Sequence, residues 1–273
     1  MKPLRPLFFF SALILLVGLA CSALGGATDP TQAPPPTEPV QVIPTEPPPQ
    51  PTEAPPTESA PTLDLPAPTE PPAPEPQVQQ FFTEEFDNPL TADWDILTVT
   101  GSADADPDKV TVEADDGKLI WDFDSEYLYY YLFYNAFDYD DVRLDVRADN
   151  RGRNNNSISL ICRYNPDEGW YEFNIANSGV YDILYGEIKS NGDIAYSTIA
   201  NGGSLAIKQG MEVNEYAITC EDNELTLIIN GDEVTSIAEN RYGLRSGQVG
   251  VSVSSFNVLP ILIEMDWIEI SEP

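Results

Sequence analysis

Residues 81 to 273 of this 273-residue chain predict an all-β fold, two antiparallel sheets closed into a sandwich. Short segments in which apolar and polar residues alternate recur at close intervals, the period-two signature of half-buried strands. Asp116-Gly117, Ser178-Gly179, Asn191-Gly192 and Asn230-Gly231 supply the positive-φ positions that tight hairpins need. No stretch long enough for a helix carries a 3.6-residue apolar period, so a helix would have no face to bury.

The pattern gives strands over 81–86, 95–100, 109–113, 118–123, 127–134 and 142–148, then a central hairpin, then 180–189, 193–199, 215–221, 224–229, 233–238, 249–254 and 261–270. The hairpin spans Ser157 to Ala176 and turns at Asn165-Pro166-Asp167-Glu168-Gly169. In its first strand Ile158, Leu160, Cys162 and Tyr164 alternate with Ser159, Ile161 and Arg163, which places Cys162 on the core side. In its second, Tyr171, Phe173 and Ile175 share one face and Trp170, Glu172 and Asn174 the other, so Trp170 is expected to point outward.

Ahead of this region, Lys2 and Arg5 precede the apolar run Leu7 to Ala20, too short for an ordinary membrane span and shaped like a signal peptide. The run ends Gly18-Leu19-Ala20-Cys21, which resembles the lipobox of bacterial lipoproteins, with Gly18 where that pattern prefers an aliphatic residue. The resemblance implies lipidation of Cys21; the competing reading is a simple secretory signal cut near Ala27 or an uncleaved anchor. Either way the remainder is expected outside the cytoplasm, at the cell surface. Residues 22 to 80 read as a disordered stalk: Thr28 to Gln80 holds 19 prolines, repeated Pro-Thr-Glu units, eight acids and no Lys or Arg. Proline at this density removes backbone donors and fixes φ, favouring polyproline II without a core. Fully extended, such a segment reaches on the order of 160 Å.

The chain has formal net charge −32 and no histidine, and 37 of its 45 acids follow residue 80. That surface repels nucleic acid and anionic lipid, so the expected partners exclude DNA and RNA and the membrane is reached only through the lipid. Without histidine, Ser-His and Cys-His nucleophile pairs and the common zinc sites are excluded. With Cys21 assigned to lipid, Cys162 and Cys220 remain in an oxidising compartment, each in phase with core residues of its strand, and are expected to pair. The competing reading is two buried free thiols.

A resemblance then accumulates in order along the chain: Phe86-Asp87-Asn88-Pro89-Leu90 with Trp94, Gly117-Lys118-Leu119, Asp141-Val142-Arg143-Leu144, Gly169-Trp170-Tyr171-Glu172-Phe173, Leu225-Thr226-Leu227 to Asn230-Gly231, Gly247-Gln248-Val249-Gly250 and Asp266-Trp267-Ile268. Together these resemble the concanavalin A-like jelly roll of laminin-G and 3-keto-disaccharide hydrolase-type domains. Such domains bind glycans or serve as adhesion modules, and some relatives are glycosidases; fold alone does not choose among these.

Three features could carry chemistry. Glu264, Asp266 and Glu269 follow a Glu-x-Asp-x-x-Glu spacing that resembles the catalytic strand of laminarinase-type retaining glucanases. Against this, Ile263, Met265, Ile268 and Ile270 would fill the core across a bulge and leave the acids solvated. Tyr127 to Tyr134 is aromatic on both faces: Leu128 and Leu132 mark the core side, which turns Tyr127, Tyr129, Tyr131 and Phe133 to the other. Tyr129, Tyr131 and Trp170 are the expected sugar platform, and the alternative is that these rings are buried. Last, the loops holding Asp104, Asp106 and Asp108, then Asp138, Asp140 and Asp141, then Asn154, Asn155 and Asn156 offer the oxygen ligands that Ca²⁺ takes, although Asp and Asn are also turn formers. The reading is a cell-surface lipoprotein whose stalk displays a non-catalytic module for a glycan or cell-surface polysaccharide. Its alternatives are an extracellular retaining glycosidase and a purely protein-binding structural module.

Overall fold

The structure is a computed structural model and describes residues 79–273. The signal segment, Cys21 and nearly all of the expected stalk lie outside the described residues. The strands are β1 (Phe82–Glu84), β2 (Trp94–Thr100), β3 (Val110–Asp115), β4 (Lys118–Phe123), β5 (Leu128–Tyr139), β6 (Val142–Asn150), β7 (Asn156–Asn165), β8 (Gly169–Ala176), β9 (Val180–Ile188), β10 (Ile194–Gly203), β11 (Val213–Glu221), β12 (Glu224–Ile229), β13 (Asp232–Ala238), β14 (Gly247–Ser255) and β15 (Ile261–Ser271). They form two antiparallel sheets. One runs β13-β12-β11-β6-β15-β4-β3 with β1 added beside β15; the other runs β10-β9-β8-β7-β14-β5-β2.

Alternation builds the core between them. Leu144, Val146, Ile218, Leu225, Leu227, Ile263 and Met265 from the eight-stranded sheet meet Leu128, Leu132, Ile158, Leu160, Phe173, Val251 and Val253 from the seven-stranded one, all at most 4% exposed. Each such side chain taken from water contributes about 1.5–3 kcal/mol. The hairpin turns follow the expected chemistry: Asp116-Gly117 has φ 51° and 70°, and Asn230-Gly231 has 52° and 85°, the paired positive values of a type I′ turn.

Cys162 on β7 and Cys220 on β11 form a disulfide with Cα atoms 6.7 Å apart, so the bond staples one sheet to the other through the core. Two expectations need correction. The strand expected to end at residue 134 instead runs on to Tyr139, where Phe137 and Tyr139 pack their tilted rings against Tyr134 and Phe81 and hold the chain extended. The hydroxyls of Tyr134 and Tyr139 donate to the carbonyls of Gln79 and Gln80, seating the entering chain beside them. The strict alternation read for β7 also fails after Cys162. Arg163 takes φ 55° in a bulge between Cys162 and Asn165, which moves Tyr164 from the core to the outer face, against Phe133 and Trp170.

Closing a 58-residue separation, the disulfide restricts the unfolded chain strongly. Replacing both Cys162 and Cys220 by Ala is expected to lower unfolding stability by about 2–5 kcal/mol, measured by denaturant titration of the full chain. An unchanged midpoint would show that the core alone holds the two sheets together.

Candidate functional site

What distinguishes the seven-stranded sheet is its outer face. Strand parity places Tyr129, Tyr131 and Phe133 of β5, Ser252 and Ser254 of β14, Ser157, Ser159 and Ile161 of β7, and Trp170, Glu172 and Asn174 of β8 on that face. Tyr131, Phe133, Ile161 and Trp170 make a second apolar cluster there, separate from the core. Tyr131 and Trp170 are fully buried rather than offered as bare rings, which corrects the expectation of an exposed Trp170.

Their burial has a local cause on β9 and β10. Gly186 lies opposite Trp170, and a Cβ there would come within 2.3 Å of the indole, so only glycine lets the ring lie flat across the neighbouring strand. Tyr196 of β10 meets Trp170 edge-on at 6.0 Å, and its hydroxyl lies 2.5 Å from that of Tyr131. Along the sheet, β10 and β5 are five strand steps apart, roughly 24 Å if the sheet were flat. Two tyrosine side chains cannot bridge that span, so the sheet curls and this outer face is a concave groove, closed over by the Tyr131–Tyr196 contact.

Glu172 sits inside, 2% exposed. Its carboxylate accepts from Ser159 Oγ at 2.8 Å, Trp170 Nε1 at 3.1 Å and Tyr131 Oη at 3.2 Å. Asn174 donates from Nδ2 to Ser157 and Ser159, ordering the hydroxyls beside it. Desolvation raises the Glu172 pKa above the ordinary carboxylate value in spite of these donors. Burial, then the neighbouring Glu172, raises the Tyr131 and Tyr196 hydroxyls, so both remain protonated donors. The hydroxyls of Ser252 and Ser254 are buried without a partner among the described residues. The surroundings of Glu172 could store a proton or exchange one along Tyr131 to Tyr196, whose ring edge reaches solvent at 39% exposure.

The other candidates fall elsewhere. Glu264, Asp266 and Glu269 lie on the outer face of the eight-stranded sheet, with Ile263, Met265, Ile268 and Ile270 in the core and a bulge between Met265 and Trp267. Lys118 bonds Glu264 at 2.6 Å and approaches Asp266 at 3.8 Å, while Arg147 bridges Asp266 and Glu215. Glu264 and Asp266 are tied into a surface ion-pair network, and none of the three acids shares a groove with Tyr129, Tyr131 or Trp170. The oxygen-rich loops are used in the architecture: Asp106 caps the turn at Pro107–Lys109, Asp141 accepts from the Asp222 amide, and Asn154 and Asn155 accept from Gly210 and Val258. Among the described residues no three His, Cys, Asp or Glu side chains are grouped to hold a metal ion.

Sequence reasoning placed Glu172 on the correct face without singling it out. The available signal was an acid flanked at i−2 and i+2 by Trp170 and Asn174 on a strand buried on both sides. Tyr196 had no such signal, because the fold of the sheet brings it to Tyr131.

A buried carboxylate with a raised pKa makes a signed prediction. Stability favouring its neutral form is complete below the unfolded value near 4.5 and is lost as pH rises through the folded value. Glu172→Gln should therefore gain in stability relative to wild type between pH 4 and pH 8, read by denaturant titration of the full chain at each pH. A pH-independent difference would mean that Glu172 does not titrate in this range.

No curated protein matches the chain. Three solved structures share the fold at TM-score 0.50: a GH16 protein of the Bacteroides ovatus mixed linkage glucan PUL in complex with G4G4G3G product (11% identity, 70% of this chain and 99% of that one), a glycoside hydrolase family 16 endo-glucanase from Bacteroides ovatus in complex with G4G3G-2F-DNP (11%, 70% and 99%), and a native glycosidic hydrolase (14%, 73% and 100%). A family model for the 3-keto-alpha-glucoside-1,2-lyase-like domain matches residues 82–259, nearly the whole sandwich. The chain therefore belongs to the family of 3-keto-alpha-glucoside-1,2-lyase-like domains.

Proposed function

We propose that this sandwich binds a saccharide in the groove of its seven-stranded sheet, as a non-catalytic module held at the cell surface by a lipid on Cys21. The observation that carries the binding reading is the groove itself. Tyr129 and Tyr196 keep part of their rings reachable, and the strip of Ser157, Ser159, Ser252 and Ser254 lies between strands that carry them. Partly exposed rings suit the apolar faces of a sugar, and the buried serine hydroxyls beneath them would meet its hydroxyl edges where the Tyr131–Tyr196 contact opens. Two proteins of the same fold were solved with oligosaccharides, which supports the ligand class.

Glu172 favours a second, catalytic reading. A retaining glycosidase needs two carboxyl groups about 5–5.5 Å apart, and the acids proposed for it lie on the opposite sheet, where Glu264 and Asp266 are paired with Lys118 and Arg147. A lyase acting on a 3-keto sugar needs one base: the ketone acidifies the neighbouring C2 hydrogen, and elimination expels the C1 substituent. Glu172 is the one buried acid of the groove that could take that proton. Its enclosure beneath Tyr131 and Tyr196 weighs toward binding, since a substrate could reach it only if this pair parted.

Tyr129→Ala and Tyr196→Ala should each weaken glycan-array binding by about 0.5–1.5 kcal/mol while the chain stays folded. Wild-type binding in both would remove the groove from consideration. Turnover of a 3-keto-disaccharide by the wild type that disappears in Glu172→Gln would replace the binding reading with the catalytic one. For the anchor, Cys21→Ala is expected to move the protein from the membrane to the soluble fraction, and unchanged fractionation would refute lipid attachment at Cys21.

A further inference from the structure

At the end of the sandwich where the chain enters, three loops surround a cleft of about 560 Å³. They are the β5–β6 turn with Asp140 and Asp141, the β11–β12 turn with Asp222 and Asn223, and the β13–β14 loop with Asn240 and Arg245. The size falls within the range of small-molecule sites, but the composition is unusual, since such sites are ordinarily lined by apolar side chains. Every lining side chain here is charged or an amide.

The cleft is also rigidly built. Arg163, 1% exposed at its floor, donates to the carbonyls of Asp140 at 2.8 Å and Leu244 at 3.0 Å and reaches that of Cys220 at 3.5 Å, so one guanidinium ties all three loops together. The β7 bulge that turns Arg163 inward directly follows the disulfide cysteine Cys162. Asp141 Oδ1 accepts from the Asp222 amide, Arg245 Nη1 donates to the Asp222 carbonyl, and Asn223 Nδ2 donates to Asn240 Oδ1. Glu239 completes the third loop by accepting from the amides of Arg241, Tyr242 and Gly243 and from the Tyr171 hydroxyl.

After these bonds, the cleft still presents the carboxylates of Asp140 and Asp222, the Asn223 carbonyl, the Asn240 amide hydrogens and the second guanidinium nitrogen of Arg245, none of them bonded to a side chain among the described residues. Acceptors and donors therefore stand side by side. Three carboxylates face two guanidiniums, a net charge of −1 that repels an anion, while Arg245 on the rim and Arg163 beneath it oppose a cation. The acids are not grouped to hold a metal ion. A neutral molecule whose adjacent hydroxyls each donate and accept satisfies such a rim, and an apolar one does not.

We propose that this cleft is a second saccharide site, taking a neutral sugar unit through its vicinal hydroxyls, independent of the groove on the seven-stranded sheet. The test is amide and side-chain NMR of the isotopically labelled full chain, titrated separately with cellobiose, maltose, lactose, sucrose and trehalose, and with glucuronate and glucosamine as charged counterparts. At least one neutral disaccharide should shift the side-chain signals of Asn223, Asn240 and Arg245. Asn240→Ala and Arg245→Ala should each weaken that binding about tenfold, as expected for a lost hydrogen bond to a fixed or charged group. Tyr196→Ala should leave it unchanged, which separates the cleft from the groove. Asn240 and Arg245 bear on the rim rather than on the Arg163 hub, so outside the β11–β12 and β13–β14 loops that they bond the backbone spectrum of both variants should remain that of the wild type. No shift with any neutral sugar, shifts only with a charged one, or equal affinity in both rim variants would overturn the proposal.

Discussion

Because side chains alternate across a strand, two sheets that close over a shared core each retain a second face, and the properties of this domain follow from the different treatment of those two faces. The eight-stranded sheet leaves its outer face to water and covers it with Lys118, Arg147, Glu215, Glu264 and Asp266 in mutual ion pairs. Such exposed pairs contribute little individually, and their role is to keep an acidic face soluble. The seven-stranded sheet instead buries Tyr131, Phe133, Ile161 and Trp170 on its outer face, so its middle strands are covered on both sides. That second layer is possible only where the sheet curls.

The curl follows from residue size. Gly186 makes room for the Trp170 ring, Gly101 for Tyr129, and the four serines of β7 and β14 leave the floor of the groove low beneath the rings. Larger residues at these positions would hold the face open and separate Tyr131 from Tyr196. The same smallness has an energetic cost. Ser252 and Ser254 hold buried hydroxyls without partners among the described residues, a placement that costs about 1–3 kcal/mol each, and Glu172 is desolvated beyond what its three donors compensate. A groove serving only to add apolar burial would carry none of these groups.

Much of this was legible in the sequence, and the limits are physical. Alternation and turn chemistry located every strand, and parity alone put Tyr129, Tyr131, Trp170 and Glu172 on one face. Parity reports direction and not cover, so it could not show that Tyr131 and Trp170 are enclosed, because their covering residue Tyr196 arrives from a strand several steps away in the sheet. It also assumes an unbroken ladder. One extra residue at Arg163 carries Tyr164 to the other face and sends a guanidinium inward, and nothing in the local pattern marks that bulge. The Cys162–Cys220 bond was legible because strand phase puts both sulfurs on the core side, and the signal-like start of the chain implies an oxidising compartment.

The positions of the acids weigh on what the fold can do. The Glu-x-Asp-x-x-Glu spacing is a one-dimensional signal that a strand of either sheet could display, and here it occurs on β15, where its alternate residues Ile263 and Met265 are needed by the core. Glu264 meets Lys118 at 2.6 Å and Asp266 meets Arg147 at 2.7 Å on that outer face. Among the described residues the fold buries two acids, Glu239, whose carboxylate is held by three backbone amides, and Glu172, whose desolvation raises its proton affinity, and it is that isolation rather than spacing that makes a carboxyl group useful for chemistry or for holding a ligand hydroxyl. A single enclosed acid beneath tyrosine hydroxyls cannot perform a two-carboxylate displacement. It can order a bound sugar or remove one proton from it, and the readiness of Tyr131 and Tyr196 to part decides which of the two the groove performs.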